Sequence, residues 1–301
     1  MDARPGHTSA DKHTQMLRLP DGRAIGYAEY GDPDGLPVLA LHGTPGSRFM
    51  FALTDEGARE RGLRLIAPER RGYGLSDYRC VSTLSDLASD LEAVVDALGL
   101  DRFAIIGVSG GGPHAVAAAA VLGSRVRLLA LISPVGPIAD CGDSVRISPM
   151  HNLIFRKLAR STPACRAFFW SVRALVRRAP GVARGILLRR VTPADRSVLQ
   201  RPNVVGNLQK AVGEGLRRGV DGAVQDLKLF GAPWQLSLPA VYVPAVLWQG
   251  SEDTIVPPEA AYYLARALPN CRLEVMEKAG HYWIFGRFGM VLDAVATAMR
   301  R

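Results

Sequence analysis

Cysteine is scarce. Four occur in 301 residues, Cys80, Cys141, Cys165 and Cys271, and no two form a CxxC pair. That spacing suggests neither a disulfide framework nor a zinc site, and the thiols read as free and reduced. Long apolar runs are missing too, and none approaches the ~20 residues of a membrane span. The opening stretch, Met-Asp-Ala-Arg-Pro-Gly-His-Thr-Ser-Ala, lacks the apolar segment of a secretory signal. The expectation is a soluble, cytoplasmic protein with no membrane partner and no metal.

Acidic residues are sparse in one region. From Pro137 to Gln235 there are 17 Lys/Arg against 6 Asp/Glu, whereas the rest of the chain has 20 against 22. This segment therefore carries the whole net charge of +9. A basic excess raises nucleic acid or an acidic surface as a partner. No basic run interleaved with aromatics and no nucleic-acid motif supports the first, so no nucleic-acid partner is expected. Solvated arginine on helices accounts for the charge simply. The sharper reading is a positive field that admits anionic small molecules.

Apolar residues are abundant, at 48 %, with 31 Gly and 20 Pro. That is enough for one large α/β core with many strand-to-helix turns. The first dozen residues, including His7, read as a polar tail. Arg23 to Tyr30 alternates like a half-exposed antiparallel strand, and Asp32-Pro33-Asp34-Gly35 is a turn. Buried strands are predicted at Val38–Leu41, Leu63–Ala67, Phe103–Val108 and Val126–Ile132. Helices are predicted at about 48–61, from Ser82 to Leu98 with Gly99 ending it, and at 113–122. The rhythm then stops. From 137 to 235 the chain is helical, Arg-rich and broken by Pro163, Pro180, Pro193 and Pro202. It resumes with a strand at Ala245–Trp248, a helix at 258–268, a strand at Arg272–Met276 and a helix at 290–299. The predicted organisation is a core in two parts, 1–136 and 236–301, with 137–235 inserted as a helical cap. The core is a mostly parallel sheet with helices on both faces.

Gly107-Val108-Ser109-Gly110-Gly111 is a G-x-S-x-G pattern between an apolar strand and a small-residue helix. A serine on such a turn has its Oγ aimed out of the sheet, and the flanking small residues let strand and helix approach. The helix N-terminus favours developing negative charge. Ser109 is thus the candidate nucleophile, and it needs a base. Of six histidines, His7 and His13 lie in the polar tail and His151 lies in the basic insertion. His42 is placed to shape a loop, and His114 reads as packed or hydrogen-bonded. His281, in the loop after the last strand, reaches the carboxyl edge of the sheet and is the candidate base. Asp253, after the strand ending at Trp248, is the candidate orienting acid. Glu252 beside it and Asp140 after the preceding strand are competitors. The order Ser109, Asp253, His281 is that of one fold family. The Gly110 N–H and an N–H of the loop His42–Ser47, for which Thr44 is chosen, are candidate oxyanion donors.

These motifs resemble the α/β-hydrolase superfamily over nearly the whole chain. His42-Gly43-Thr44-Pro45-Gly46 is similar to its HGxPG loop, and Pro68 to Asp77 to its D-x-R-G-x-G-x-S segment. Glu69 stands where the aspartate is usual, in a segment that is structural in the family. The insertion falls where relatives carry a helical cap. The resemblance implies acyl transfer through an acyl-enzyme, with no metal or organic cofactor. A serine nucleophile argues against the family's dehalogenases and epoxide hydrolases, which use aspartate. The first expectation is a serine hydrolase cleaving an ester or lactone of a small to medium apolar, and on the charge argument anionic, substrate. The alternatives are a proline-iminopeptidase-like aminopeptidase, a carbon–carbon bond hydrolase, a thioesterase, or a ligand receptor on the same fold. The aminopeptidases typically show HGGPG and use cap carboxylates to hold an ammonium, whereas this chain has Thr44 and an acid-poor cap. The sequence carries no signal of oligomeric state.

Overall fold

A computed structural model of the chain describes residues 13–142, 145 and 147–301. His7 and the tail before His13 lie outside the described residues. Eight strands form one sheet: β1 (Gln15–Arg18), β2 (Ala24–Gly31), β3 (Leu36–Leu41), β4 (Leu63–Pro68), β5 (Phe103–Val108), β6 (Val126–Ile132), β7 (Ala245–Gly250) and β8 (Cys271–Met276). Their spatial order is β1-β2-β4-β3-β5-β6-β7-β8. The first two pairings, β1 with β2 and β2 with β4, are antiparallel. All the others are parallel. This is the α/β-hydrolase fold expected from the sequence.

Side-chain alternation along the central strands builds two cores. Leu39, Leu41 and Ile105 point to one face, under helices α2 (Leu84–Ala97) and α3 (Gly111–Leu122). Val38, Ala40, Ala104 and Ile106 point to the other face. There they meet α1 (Asp55–Glu60) and the last helix of the chain. A strand buried on both faces needs apolar residues at every position, and Phe103–Val108 is buried throughout. The α2 N-terminus carries a reciprocal cap. The Asp86 N–H donates to Thr83 Oγ1 at 3.2 Å, and the Thr83 N–H donates to Asp86 Oδ2 at 2.9 Å. Gly99, at φ +63°, ends the helix where the sequence placed its stop.

Between β6 and β7 the chain is helical: α4 (Pro149–His151), running on through a wide turn to Lys157, α5 (Thr162–Arg178), α6 (Pro180–Arg190), α7 (Pro193–Leu199), α8 (Pro202–Gly215) and α9 (Asp221–Gly231). Proline occupies the first turn of five of these, where no N–H donor is lost. A third core, with Tyr73, Val135, Phe155, Leu227, Phe230 and Val256, joins the insertion to the loops that follow β4, β6 and β7. Asn207 of α8 donates to the Met50 carbonyl at 3.3 Å. The chain closes with α10 (Pro258–Ala267), β8 and α11 (Ile284–Met299).

Three local readings differ from the structure. β1 has no counterpart among the predicted strands, because it is a four-residue edge strand held by its pairing to β2. The helix predicted over 48–61 is a 3-10 turn, Arg48–Thr54, followed by α1. The last helix starts at Ile284 rather than Met290, with a kink at Arg287.

Candidate active site

β5 delivers Ser109 to the turn before α3. Its φ is +53°, in the left-handed region that an L-residue occupies at a cost of about 1–3 kcal/mol. The surroundings hold it there. The Ser109 N–H donates to the Ile132 carbonyl at 2.9 Å, and the Ser109 carbonyl accepts from Gly112 N at 2.9 Å and Val135 N at 3.1 Å. Close approach explains the glycines. A Cβ on Gly111 would overlap the Leu41 carbonyl oxygen, and one on Gly107 would lie 2.7 Å from the Ala115 Cβ.

The loops after β7 and β8 bring the partners. His281 Nδ1–H donates to Asp253 Oδ2 at 2.7 Å. That leaves Nε2 to accept from the Ser109 hydroxyl at 3.0 Å. The remaining Asp253 contacts hold its carboxylate still. Oδ1 accepts from Ile255 N at 2.8 Å and Val256 N at 3.0 Å, and Oδ2 accepts from Gln249 Nε2 at 3.1 Å. Burial alone would raise the Asp253 pKa. The facing His281 and the two N–H donors outweigh it and hold the carboxyl below its ordinary value. Burial alone would lower the His281 pKa. The Asp253 carboxylate, with Asp195 behind it, raises it above the ordinary histidine value. A hydroxyl paired with an imidazole so oriented can lose its proton as it attacks an electrophilic carbon.

The loop after β3 lies against the turn after β5. A Cβ on Gly110 would overlap the Thr44 hydroxyl and lie 2.7 Å from the Thr44 Cβ. The Thr44 side chain is itself tied down. It donates to Asp226 Oδ2 at 2.6 Å and accepts from Arg70 at 2.9 Å. Asp226, buried on α9, also accepts from Arg70 at 2.7 Å and from the Tyr73 hydroxyl at 2.7 Å, while His114 Nε2 lies 3.0 Å from its other oxygen. Burial would raise the Asp226 pKa, but the adjacent guanidinium holds it far below the usual carboxylate range. Burial and the Arg70 charge keep the His42 pKa low, and burial lowers that of His114.

The other sequence candidates go elsewhere. His42 Nδ1 meets the Gly43 carbonyl at 2.8 Å, inside its own loop. His151 Nε2 meets the Thr254 carbonyl at 3.2 Å. Asp140 accepts from Trp234 N at 3.1 Å and does not reach His281. The Glu69 carboxylate accepts from Arg48 at 2.8 Å and Leu75 N at 2.7 Å, which ties its segment together. Two residues near the site escaped the sequence reading, Asp226 and Asp195. Their partners lie in other elements, and only the fold of the insertion brings them there. Among the described residues no cluster of His, Cys, Asp and Glu could hold a metal ion, and no helix is long and apolar enough to cross a membrane.

Residues 37–287 match the family described as alpha/beta hydrolase fold. Among curated proteins, the chain is 36 % identical over 132 residues to a non-heme chloroperoxidase of Streptomyces lividans, a match that spans 41 % of this chain and 46 % of that one. It is 26 % identical over 308 residues to a proline iminopeptidase of Neisseria gonorrhoeae, spanning 89 % of this chain and 90 % of the relative. Among solved structures, a thermophilic esterase from Thermogutta terrifontis superposes with a TM-score of 0.67 at 24 % identity, covering 95 % of this chain and 98 % of that one.

Proposed function

Because the chain belongs to the alpha/beta hydrolase fold family, we propose that it is a serine hydrolase cleaving a carboxylic ester or lactone through Ser109, His281 and Asp253. The observation that carries this reading is one unbroken chain of hydrogen bonds, 3.0 Å from Ser109 Oγ to His281 Nε2 and 2.7 Å from Nδ1 to Asp253, ending on a serine at φ +53°. His281 takes the Ser109 proton as Oγ attacks the carbonyl carbon. The backbone N–H groups of Gly110 and Thr44 stabilise the oxyanion. His281 then protonates the leaving alcohol, and water, deprotonated by the same imidazole, releases the acid. The helical segment between β6 and β7 acts as a cap over this site.

The state of the insertion's carboxylates favours esters. An aminopeptidase needs a free carboxylate to hold the substrate ammonium. Asp226 is taken by Arg70, Glu214 by Arg48 and Arg217, Asp221 by Arg166, and Asp195 and Asp140 by backbone N–H groups. Each acid among the described residues of the insertion is thus occupied. The aminopeptidase reading is favoured instead by the nearly full-length likeness to a proline iminopeptidase.

A fluorophosphonate probe tests the nucleophile. Labelling at Ser109 that vanishes in Ser109→Ala supports the reading, and labelling retained in that variant overturns it. A panel of p-nitrophenyl esters, lactones, acyl thioesters and prolyl amides then decides the substrate class. Turnover of prolyl amides alone would replace the ester reading with the aminopeptidase one.

A further inference from the structure

His281 is held from two sides. The core supplies Asp253 to its ring, and the insertion supplies a second carboxylate to its backbone. α7 opens with Thr192-Pro193-Ala194-Asp195, and Asp195 N donates to the Thr192 hydroxyl at 3.2 Å. An acidic residue at this place usually folds back onto the helix start. The Asp195 carboxylate turns away instead. Its Oδ2 accepts from His281 N at 2.6 Å, and its Oδ1 accepts from Tyr282 N at 2.8 Å. Asp195 is 1 % exposed. The approach requires glycine at 280, since a Cβ there would overlap Asp195 Oδ2 and lie 2.7 Å from the Thr192 hydroxyl.

We propose that Asp195 is a positioning residue, through which the insertion fixes the backbone of His281 and adds a second negative charge behind its ring. The proposal rests on the reading of His281 as the base. Both Asp195 oxygens are used, each on a different N–H of one loop, so the carboxylate sets the direction of the loop as a clamp does. The titratable groups facing Asp195 are His281, Asp253 and the Tyr282 phenol; burial raises the Asp195 pKa, opposed by the two N–H donors and by the imidazole when it is protonated. The groups facing the imidazole are Asp253, Asp195 and the Ser109 hydroxyl, with the Tyr282 ring edge-on at 5.2 Å. Two carboxylates near one imidazole favour its protonated form, the form it takes while the tetrahedral species exists.

Asp195→Asn keeps the size but removes the charge, and its amide offers only one acceptor oxygen to two N–H donors. The readout is the second-order rate of Ser109 phosphonylation by a fluorophosphonate as a function of pH, which requires no known substrate. In Asp195→Asn the acid limb of this profile moves down by about half a pH unit or more, as expected from one charge removed near an imidazole. The plateau rate falls several-fold. Asp221→Asn, a carboxylate of the same insertion paired with Arg166, leaves the limb in place. Gly280→Ala, which pushes the carboxylate off the loop, moves the limb in the same direction and serves if Asp195→Asn does not fold. A limb unmoved in the folded variants overturns the proposal, and so does an equal movement in Asp221→Asn. Labelling that persists in Ser109→Ala sinks the reading of the site instead, so the two failures are separable.

Discussion

The Thr44 hydroxyl and the Asp226 carboxylate stand 2.6 Å apart across 182 residues of chain. The same carboxylate pairs with Arg70, and both partners are buried. Removing one member of such a pair leaves the other charge uncompensated, at a cost of about 3–5 kcal/mol. Asp226→Ala should lose stability on that scale in urea unfolding. A loss below about 1 kcal/mol, the range of an exposed ion pair, would contradict this account.

Activity should fall on acidification earlier than an ordinary histidine would dictate. The base must be neutral to accept the Ser109 proton, and the His281 pKa is raised. Protonation as pH falls through the raised value abolishes the base. The acid midpoint of kcat/KM should therefore lie above about 6.5, the unperturbed histidine value. Asp253→Asn removes the main cause of the shift and should lower kcat by about 10⁴-fold, on the scale of other triads. Steady-state rates from pH 5 to 9 check both statements, and a midpoint below 6 would refute the first.

Gly111 and Gly185 should respond oppositely to alanine. At Gly111 the new methyl would meet the Leu41 carbonyl oxygen, at the end of β3, and the His42 carbonyl oxygen, which accepts from Arg70. Overpacking of this kind costs about 1–3 kcal/mol. At Gly185, inside α6, nothing lies within 4 Å of the added Cβ. There alanine should stabilise by up to about 1 kcal/mol through helix propensity. Thermal melts of the two variants should move in opposite directions, and a shared direction would show that the close approach at Gly111 is not limiting.

The basic insertion should show itself through salt. Several of its arginines serve the backbone: Arg156, Arg173 and Arg196 donate to carbonyls at helix ends or loops. Arg177 and Arg178 are exposed on α5 beside Trp170 and Arg173. If the net field reaches the site, anionic esters should exceed neutral isosteres in kcat/KM at low ionic strength. The difference should shrink as the screening length falls from about 30 Å at 0.01 M to about 8 Å at 0.15 M. Equal rates at low salt would assign the arginines to solvation alone.

What was legible in the sequence is what is local. Ser109, Asp253 and His281 each sit just past a strand, and a strand followed by a glycine-rich turn is read from a few neighbouring residues. The buried strands are legible for the same reason, since a run such as Phe103–Val108 has only one environment to fit. Asp195 and Asp226 were not legible. Thr192-Pro193-Ala194-Asp195 reads as an ordinary helix start, yet the carboxylate bonds a loop 86 residues away. Arg48–Thr54 carries an apolar pattern that fits either helix type, and its 3-10 form goes with its packing against α8. β1 depends on a partner strand for its existence.

β6 and β7 are neighbours in the sheet, with Ile132 opposite Trp248. The two strands are parallel, so the chain leaves β6 at the carboxyl edge of the sheet and crosses back to the amino edge, one strand over, to enter β7 at Ala245. Closing a detour of this kind grows costlier only with the logarithm of its length, about 0.6 kcal/mol per doubling. The sheet is thus a socket that tolerates many lengths of insert. On this account the inserted helices can be lengthened, shortened or exchanged without altering how the eight strands pair.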